Sequence, residues 1–418
     1  MQTDLTIIGM EAAGVTALPQ PLQDIISNAN FILADSRFHD DLVKLAPDCI
    51  ISPWPRPFTK IYDLIDFHRK QGHYSVILTT GDPQYFGAGS SIIKKFGMAG
   101  IEIHPARSGL SLAAAQLGLC LDKTECLSLH GRPITQLRSK LRPNQHYLLI
   151  PHDRNTPEAV AKLCVETGFE DANMILLSQL GDQQQRVSKS IKISDYDPKR
   201  DMPDDFHMIA LHTNKAAISQ AMARPPGIAD DLFIHDGKMT KQDMRALAML
   251  RLNPHPASIM WDLGCGAASV MIEYLLLAGH DAACYGVDNQ AKRLEMAQQN
   301  IHHFGLERMA TLIKGDSMDI LDDLPDPDAI FIGGGISEAL ILTAYDRLLS
   351  GGSLLAHGVT MEAERCLLNI QQHFKNHDKT GAISSFARYN HASEDRLSPA
   401  FTAFRPQMTV TQFSLRKP

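Results

Sequence analysis

The sequence predicts an α/β protein with two domains. Its 418 residues exceed the usual size of a single domain, and short β-rich runs alternate with helical patterns in both halves. A Pro-Pro-Gly break at residues 225–227 follows the apolar run at residues 206–214. Such a tripeptide is typical of a loop. We therefore expect one domain at residues 1–213 and a second at residues 226–418.

Seven strands are expected in the first domain. Each is a short apolar run bounded by glycine, proline or polar residues. They are LTIIGM (5–10), NFILAD (30–35), YSVILTTGD (74–82), IEIHPA (101–106), ECLSLHG (125–131), HYLLIP (146–151) and FHMIALHTN (206–214).

The second domain is expected to begin with a helix from Thr240 to Leu252, with Thr240 as its N-cap. Five strands separated by helices follow it. They are SIMWDLGCG (258–266), ACYGVDN (283–289), ATLIKGD (310–316), DAIFIGGG (328–335) and GSLLAHGV (352–359).

Composition narrows the classes of function. The net charge is −7 and neither half is basic, whereas proteins that bind nucleic acids usually carry a basic stripe. No uncharged apolar stretch reaches about 18 residues and the N-terminus lacks a signal-peptide pattern. We therefore expect a cytoplasmic protein with no nucleic-acid or membrane partner. The seven cysteines are scattered, so we expect free thiols and no metal site.

The second half has glycines and carboxylates at the ends of its strands. The first strand ends in Asp262-Leu263-Gly264-Cys265-Gly266, and the second ends in Asp288, which is suited to holding the hydroxyls of a ribose. The third and fourth strands contribute Gly315-Asp316 and, after Asp328, Gly333-Gly334-Gly335. Because parallel α/β sheets bind ligands at their carboxyl edge, we expect all these residues along that edge.

Two cofactors are candidates for this pattern of glycines and carboxylates. An NAD-binding fingerprint requires G-x-G-x-x-G, but Ser269 stands at its last position. The arrangement instead resembles the class I methyltransferases that use S-adenosylmethionine (SAM). That resemblance implies SAM contacts at Asp262, Gly264, Gly266, Asp288, Gly315 and Asp316.

A longer segment narrows the resemblance. The series begins with PGI at residues 226–228, FIHDGKMTK at residues 233–241 and Arg245, and continues with WDLGCG, FIGGG and HGVTMEAE. Together these segments resemble the decarboxylating methyltransferases of the corrin pathway. The resemblance implies that substrate contacts include Gly333, Gly334, Lys241 and Arg245, and that His235, Asp236 and His357 are candidates for catalysis. Lys241 and Arg245 are one helical turn apart, so we expect them to face the same side. In isolation, DGKMTK is more typical of a solvated helix start with Thr240 as its cap. Ala268, Asp288 and His357 depart from the family's usual glycine, glutamate and asparagine.

The first half carries a different set of motifs. There are five of them: Ile7-Ile8-Gly9, the loop from Gly81 to Gly87, Pro105 to Gly109, His130-Gly131-Arg132 and Asn155-Thr156-Pro157. They occur in the order of the tetrapyrrole methylase family, which this half resembles. The resemblance implies a two-lobed α/β fold with SAM in the cleft. It implies SAM contacts at Gly9, Gly81, Asp82, Pro83, Thr156 and Pro157, and substrate contacts at Arg107, His130 and Arg132. His130 is equally typical of a histidine that is satisfied at a strand end.

Glu11 departs from this family. The family's opening reads Gly-x-Gly, whereas this chain has Gly9-Met10-Glu11. A carboxylate therefore stands where backbone would approach a ligand. Either the first site is altered, or Glu11 turns to solvent.

Together the two resemblances imply methylation of two meso carbons of a reduced precorrin, with decarboxylation of an acetate arm, by a homo-oligomer in cobalamin biosynthesis. Two other classes stay open. One is a methyltransferase for another substrate in which the first half is a docking module, and the other is a binding protein without turnover. No function is predicted for residues 376–418.

Overall fold

The computed structural model describes residues 3–214, 226–279, 281–376, 381–398 and 401–418. The chain divides into two compact units: the first lies within residues 1–134 and 141–221, and the second within residues 135–140 and 222–418. Pro225 of the expected break lies outside the described residues. All seven cysteines are described and are free thiols.

The first unit contains a parallel sheet of five strands in the order β3-β2-β4-β1-β5. These strands are β1 (Leu5–Met10), β2 (Phe31–Ala34), β3 (Ile50–Pro53), β4 (Ser75–Thr80) and β5 (Ile101–His104). The helices between and after them are α1 (Gln20–Ser27), α2 (His39–Leu45), α3 (Lys60–Lys70), α4 (Ala88–Phe96) and α5 (Gly109–Leu117). β1 and β4 lie near the middle of the sheet and are almost fully buried. At their carboxyl ends, Gly9 and Gly81 lie side by side.

A second, mixed sheet completes this unit, in the order β10-β8-β11-β7-β6, with β9 paired to β8. Only β6 and β7 pair in parallel; the other pairs among these strands are antiparallel. The elements are β6 (Thr124–Ser128), β7 (His146–Ile150), α6 (Thr156–Glu166), β8 (Asn173–Ser178), β9 (Arg186–Val187), β10 (Ile191–Lys192) and β11 (His207–His212).

The second unit is built on a seven-stranded sheet in the order β14-β13-β12-β15-β16-β20-β17. The first five strands in this order are parallel, and β20 runs antiparallel to its neighbours. The strands are β12 (Ile259–Leu263), β13 (Ala283–Asp288), β14 (Ala310–Lys314), β15 (Ala329–Ile332), β16 (Ser353–Gly358), β17 (Ile383–Tyr389) and β20 (Val410–Arg416). A separate hairpin pairs β18 (Ala392–Ser398) with β19 (Phe401–Pro406).

Six helices accompany this sheet: α7 (Gln242–Leu252), α8 (Ser269–Ala278), α9 (Ala291–Phe304), α10 (Ser317–Ile320), α11 (Glu338–Arg347) and α12 (Met361–Asn376). Two apolar clusters form the core on its faces: one packs Met271, Tyr274 and Phe304, and the other packs Trp261, Ile341 and Phe413. The expected helix starts two residues later than predicted, and Thr240 is not its N-cap. Lys241 occupies the cap position without a capping side-chain hydrogen bond.

All twelve expected strands are present. The unpredicted strands are β3, β8, β9, β10 and those beyond residue 382. Within the described residues, none of the helices is both long and apolar enough to cross a membrane.

Candidate active site

The loop after β12 forms the centre of the candidate site in the second unit. Gly264 has a φ of 75°, and a Cβ at this position would lie 2.8 Å from the backbone nitrogen of Gly334. Glycine is therefore required where the loops after β12 and β15 touch. At Gly266 an added Cβ would meet no atom within 4 Å, so the backbone here faces open space.

Asp262 lies at the end of β12 and is 1% exposed. Its Oδ2 accepts a hydrogen bond from Met271 N at 3.1 Å, whereas its buried Oδ1 has no hydrogen-bond partner in the described part of the chain. Burial, assisted by the nearby Asp288 carboxylate, raises the pKa of Asp262 to about 7, although the Met271 N–H opposes this shift. A buried acceptor that the protein leaves unsatisfied is consistent with a ligand donor at this edge.

Asp288 ends β13 and is 5% exposed. Its Oδ2 accepts from Gly266 N at 3.0 Å and its Oδ1 from Gln290 N at 2.9 Å. Each carboxylate oxygen can accept a further bond, so these contacts orient the group without exhausting it. The acid and the Gly266 backbone thus form one rigid corner at the carboxyl edge.

The remaining strand ends complete this edge, with one exception. Gly315 N donates to Asp288 O at 3.2 Å, and Asp316 caps α10 by accepting from Met318 N at 2.9 Å. Gly333 N donates to Leu263 O at 2.9 Å. The expectation for Asp328 was wrong: it precedes β15, at the amino edge, where its Oδ2 accepts from Ile259 N.

These features fit SAM at the carboxyl edge. Asp262, Gly264, Gly266 and Asp288 surround an open backbone corner, and the unpartnered Asp262 oxygen supplies an acceptor. Gly315 and Asp316 extend the edge beside Asp288.

The segment with the candidate catalytic residues is fastened to the same edge. Asn300, fully buried on α9, accepts from Ile234 N and donates to the carbonyls of Ile234 and Ala267. It thereby joins this segment to the glycine loop after β12. Asp236 Oδ2 lies 3.4 Å from Arg293 Nε, in the first turn of α9.

The side chains of this segment are also held locally. His235 Nδ1 accepts from Gly237 N at 2.9 Å, and Asp236 Oδ1 accepts from Lys238 N at 2.9 Å. The Lys238 N–H and the Arg293 cation lower the pKa of Asp236. Asp236 is therefore an ionised acceptor and a weak base.

Arg245 corrects the sequence prediction. Its side chain is fully buried, and Nε donates to Glu273, Nη1 to Asp230 and Thr240 O, and Nη2 to Ile228 O. Glu273, also fully buried, accepts in addition from the backbone nitrogens of Gly227 and Ile228. The prediction that Arg245 binds substrate carboxylates is wrong, because the guanidinium is enclosed and already bonded.

Lys241 remains available. Its Nζ is 3.5 Å from Gly237 O, a weak contact at the start of α7. It does not share a helical face with Arg245, because it precedes the helix. The role of Lys241 in binding substrate stays a prediction.

His357 lies next to the Gly333 loop, since Ala356 pairs with Ile332. It is 7% exposed, its Nε2 donates to Gln412 Oε1 at 2.9 Å, and its ring packs edge-on against Phe331. Burial lowers the pKa of His357 to about 4. The imidazole is therefore neutral at pH 7, and this environment favours packing over proton transfer.

In the first unit, the loop after β4 meets the end of β1. Gly81 N donates to Met10 O at 2.7 Å, and a Cβ at Gly9 would lie 2.7 Å from Gly81 O and 2.8 Å from Pro83 Cδ. The absence of a side chain at Gly9 is thus needed for the loop to close. Asp82 Oδ1 accepts from Gln84 N at 2.7 Å and shapes the following turn.

A small cleft opens beside this loop. Glu11 and Arg107 both line it and form a bidentate ion pair, with Nε–Oε1 and Nη2–Oε2 distances of 2.5 and 2.8 Å. The Glu11 side chain is 19% exposed. The alternative that Glu11 turns to solvent is therefore wrong.

His130 and Arg132 are exposed and lie near two aromatic rings. The His130 ring is 5.3 Å from that of His152, and the Arg132 guanidinium lies 5.9 Å from the centre of the Phe86 ring. His152 Nδ1 accepts from Gly131 N at 3.2 Å. This cationic and aromatic surface adjoins the loop after β4, to which Phe86 belongs.

Thr156 and Pro157 begin α6 and are buried. Thr156 Oγ1 accepts from the backbone nitrogens of His152 and Asp153. This hydroxyl therefore stabilises the loop before α6. A contact of either residue with adenosine stays a prediction.

Each half of the chain matches a family of known proteins. Residues 5–192 match the tetrapyrrole (corrin/porphyrin) methylases, and residues 231–417 match the precorrin methyltransferase domain. A precorrin-6Y C(5,15)-methyltransferase (decarboxylating) of Sinorhizobium sp is 31% identical over 420 residues, covering 99% of this chain and 96% of that protein. The chain belongs to the precorrin-6Y C(5,15)-methyltransferase family.

Two further members are similar to the chain. The Mycobacterium tuberculosis H37Rv protein of the same name is 28% identical over 419 residues, covering 99% of this chain and all of that protein. The solved C-terminal domain of precorrin-6Y C5,15-methyltransferase from Rhodobacter capsulatus is 32% identical, with a TM-score of 0.42, and covers 47% of this chain and 100% of that one.

Membership of the precorrin-6Y methyltransferase family confirms several predictions. The α/β fold with a tetrapyrrole methylase domain before a methyltransferase domain is confirmed, as are a methyltransferase activity and SAM as the methyl donor. The individual site residues stay predictions, apart from Arg245, which is corrected above.

Sequence reasoning missed four polar residues that organise the two sites: Glu273, Asn300, His152 and His207. Only Glu273 carried a usable signal. It is the one charged residue in the otherwise apolar segment SVMIEYLLLA, and a buried charge requires a partner. The partners of Asn300 and His152 come from distant parts of the sequence, and no local pattern marks His207 as buried.

Proposed function

We propose that this chain methylates two meso carbons of a reduced precorrin and removes the carboxyl group of one acetate arm, in cobalamin biosynthesis. The observation that carries the proposal is the end-to-end match to a decarboxylating precorrin-6Y methyltransferase, over 99% of this chain and 96% of that protein. The first unit adds one methyl group, and the second adds the other and releases carbon dioxide.

In the second unit, positioning provides most of the catalysis. SAM, when bound, supplies an electrophilic methyl group, and the reduced macrocycle supplies a nucleophilic carbon, so little acid–base assistance is needed. Asp288 and the Gly266 backbone would hold the ribose, and Asp262 Oδ1 would accept a hydrogen bond from a donor of the cofactor. Gly333 and Gly334 allow the macrocycle to approach the same edge.

The segment from residue 233 to residue 241 orients the carboxylate arms. Lys238 and Lys241 supply positive charge, while Asp236 is fixed by Arg293. An acetate carboxylate placed away from these cations loses carbon dioxide more readily, because no charge stabilises its ionised form. His235 lies within this segment and is the candidate for moving a proton.

In the first unit, Gly81, Asp82 and Pro83, in the loop that meets the end of β1, would border SAM. His130 and Arg132, beside Phe86, face the carboxylates and the flat ring of the substrate. The two units thus act on one class of substrate with unlike SAM sites.

The test uses the purified chain, SAM and the reduced precorrin, with mass spectrometry of the product. We expect two added methyl groups and the loss of one carbon dioxide. The Asp288→Asn variant should give a singly methylated product that keeps its carboxyl group, and Glu295→Gln, an exposed change on α9, should behave as the parent. A product of the parent chain with one methyl group and no decarboxylation would contradict the proposal.

A further inference from the structure

The ion pair in the first unit's cleft has the bidentate geometry that an arginine can also offer to the carboxylate of a ligand. Arg107 presents two nitrogens to the two oxygens of Glu11, the parallel fork that arginine forms with carboxylates. The Arg107 side chain is 69% exposed, whereas that of Glu11 is 19% exposed. The cation therefore remains accessible from solvent while its internal carboxylate is largely enclosed.

A second residue of the cleft points to a ligand independently. His207 lines the cleft and is 5% exposed, and its Nδ1 donates to Asp204 O at 2.8 Å. Its Nε2 is buried and has no hydrogen-bond partner among the residues that the structure describes. Since burial lowers the pKa of His207, the ring is neutral and Nε2 is an acceptor. Buried acceptors are rarely left unsatisfied, so a donor from a ligand is expected there.

The charges around the cleft favour a ligand with a carboxylate. Among the described residues that line it, Arg107 is the sole guanidinium and Glu11 the sole carboxylate. Arg37 adds a cation at the wall, where its Nη2 donates to Thr80 Oγ1 at 2.7 Å and its guanidinium lies 4.4 Å from the Phe206 ring centre. Without Arg107, Glu11 would repel any anion that entered.

We propose that Glu11 is an internal competitor for the cation that binds a ligand carboxylate: the ligand's carboxylate takes over Arg107, and Glu11 is displaced. The inference rests on the proposed function, because both ligands named there, SAM and a precorrin, bear carboxylates. Glu11 thereby lowers the affinity of the first site and selects for ligands that can replace it on Arg107.

The experiment measures binding to the full-length chain by calorimetry. The probes are S-adenosylhomocysteine, 5′-methylthioadenosine, which lacks the amino-acid carboxylate, and uroporphyrin III, which bears acetate and propionate arms. Glu11→Gln should tighten carboxylate binding about two- to fivefold, the range expected when a partly exposed ion pair no longer competes. Arg107→Ala should weaken carboxylate binding below that of the parent, because it removes the cation and leaves Glu11 unpaired, and adding Glu11→Gln should recover only the part of the loss that is due to repulsion by Glu11.

The probes distinguish the two sources of the carboxylate. A gain for S-adenosylhomocysteine but not for 5′-methylthioadenosine assigns it to the cofactor, and a gain for uroporphyrin III assigns it to the macrocycle. Glu102→Gln, which removes an exposed carboxylate paired with His104 on β5, is the matched control and should change neither affinity. An unchanged or weakened affinity of Glu11→Gln for both carboxylated probes overturns the proposal.

Two further points keep the test decisive. If Glu11→Gln does not fold, Arg107→Ala takes its place. Arg107→Ala should weaken binding of one carboxylated probe and leave 5′-methylthioadenosine unaffected. If this variant binds every probe as tightly as the parent chain does, the inference is refuted. The readout is binding, so a chain that fails to methylate a precorrin would disprove the proposed function without changing these affinities.

Discussion

Asp288 shows how one carboxylate orders the loop at the candidate cofactor site. Its two oxygens accept from backbone nitrogens on either side, at Gly266 and Gln290, so the acid fixes this loop. Substitution therefore affects both the proposed ribose contact and the loop. Asparagine keeps the shape but loses the charge and one of the two acceptor oxygens, so it retains at most one of the two loop contacts.

We predict that Asp288→Asn weakens SAM binding to the second unit by about 1.5–3 kcal/mol, the usual value of a hydrogen bond to a charged group. Calorimetry on the full chain would measure it, with Glu295→Gln as the control on α9. If both SAM affinities stayed unchanged, Asp288 would have no role at the ribose.

Asp262 is predicted to make stability depend on pH. Its pKa of about 7 lies above that of an unfolded aspartate, so the folded state keeps a proton that the unfolded chain releases. Stability should therefore fall as the pH rises from about 4 to about 7, and then level off.

This slope is measured against Asp262→Asn, which cannot ionise. The chain has two tryptophans, and Trp261 is buried beside Asp262 on β12. In a Trp54→Phe background, urea unfolding followed by fluorescence reports the second unit. The advantage of the asparagine variant should grow from pH 5 to pH 7, and a constant difference would contradict the raised pKa.

At the scale of elements, a buried charge cluster joins the segment at residues 227–230 to two helices. Arg245 on α7 and Glu273 on α8 are both fully buried and hydrogen-bonded to each other and to this segment's backbone. Removing one partner would leave the other charge buried without compensation, which is far costlier than replacing both.

We predict that Arg245→Met destabilises the second unit by about 3–5 kcal/mol and that Arg245→Met/Glu273→Met costs less than the sum of the two single changes. Trp261 fluorescence during urea unfolding provides the measurement. Arg251→Ala, an exposed change on the same helix, should cost little. A stable Arg245→Met with a raised KM for precorrin would instead restore Arg245 as a substrate ligand.

The sheets were predictable from sequence because apolar strands alternate with helices over short distances. The strands at residues 383–416 were not, since β18 and β19 are polar or exposed and lack that pattern. Arg245 was misassigned for a related reason: its spacing from Lys241 suggested a shared face, but its partner Glu273 lies 28 residues away on another helix. Local patterns predict elements and strand ends, whereas they do not predict which charges become buried.

For the whole molecule, the open question is whether each unit works by itself. The first unit has its own apolar clusters around β1 and around α5, and the second has two on the faces of its sheet. Each also carries its own candidate SAM site. A unit with a complete core and site is expected to fold and act alone.

We predict that residues 1–213 expressed alone add one methyl group to a reduced precorrin without releasing carbon dioxide. Residues 226–418 should add one methyl group and release carbon dioxide, because the edge with Asp262 and Asp288 and the segment at residues 233–241 are both retained. Mass spectrometry distinguishes the two products, and mixing the halves should restore the product of the full chain. If the folded second half binds SAM yet never decarboxylates, even when supplied with the first half's product, the assigned division of labour is wrong. If only the second half methylates, the first is a docking module, and its cleft serves to hold the substrate.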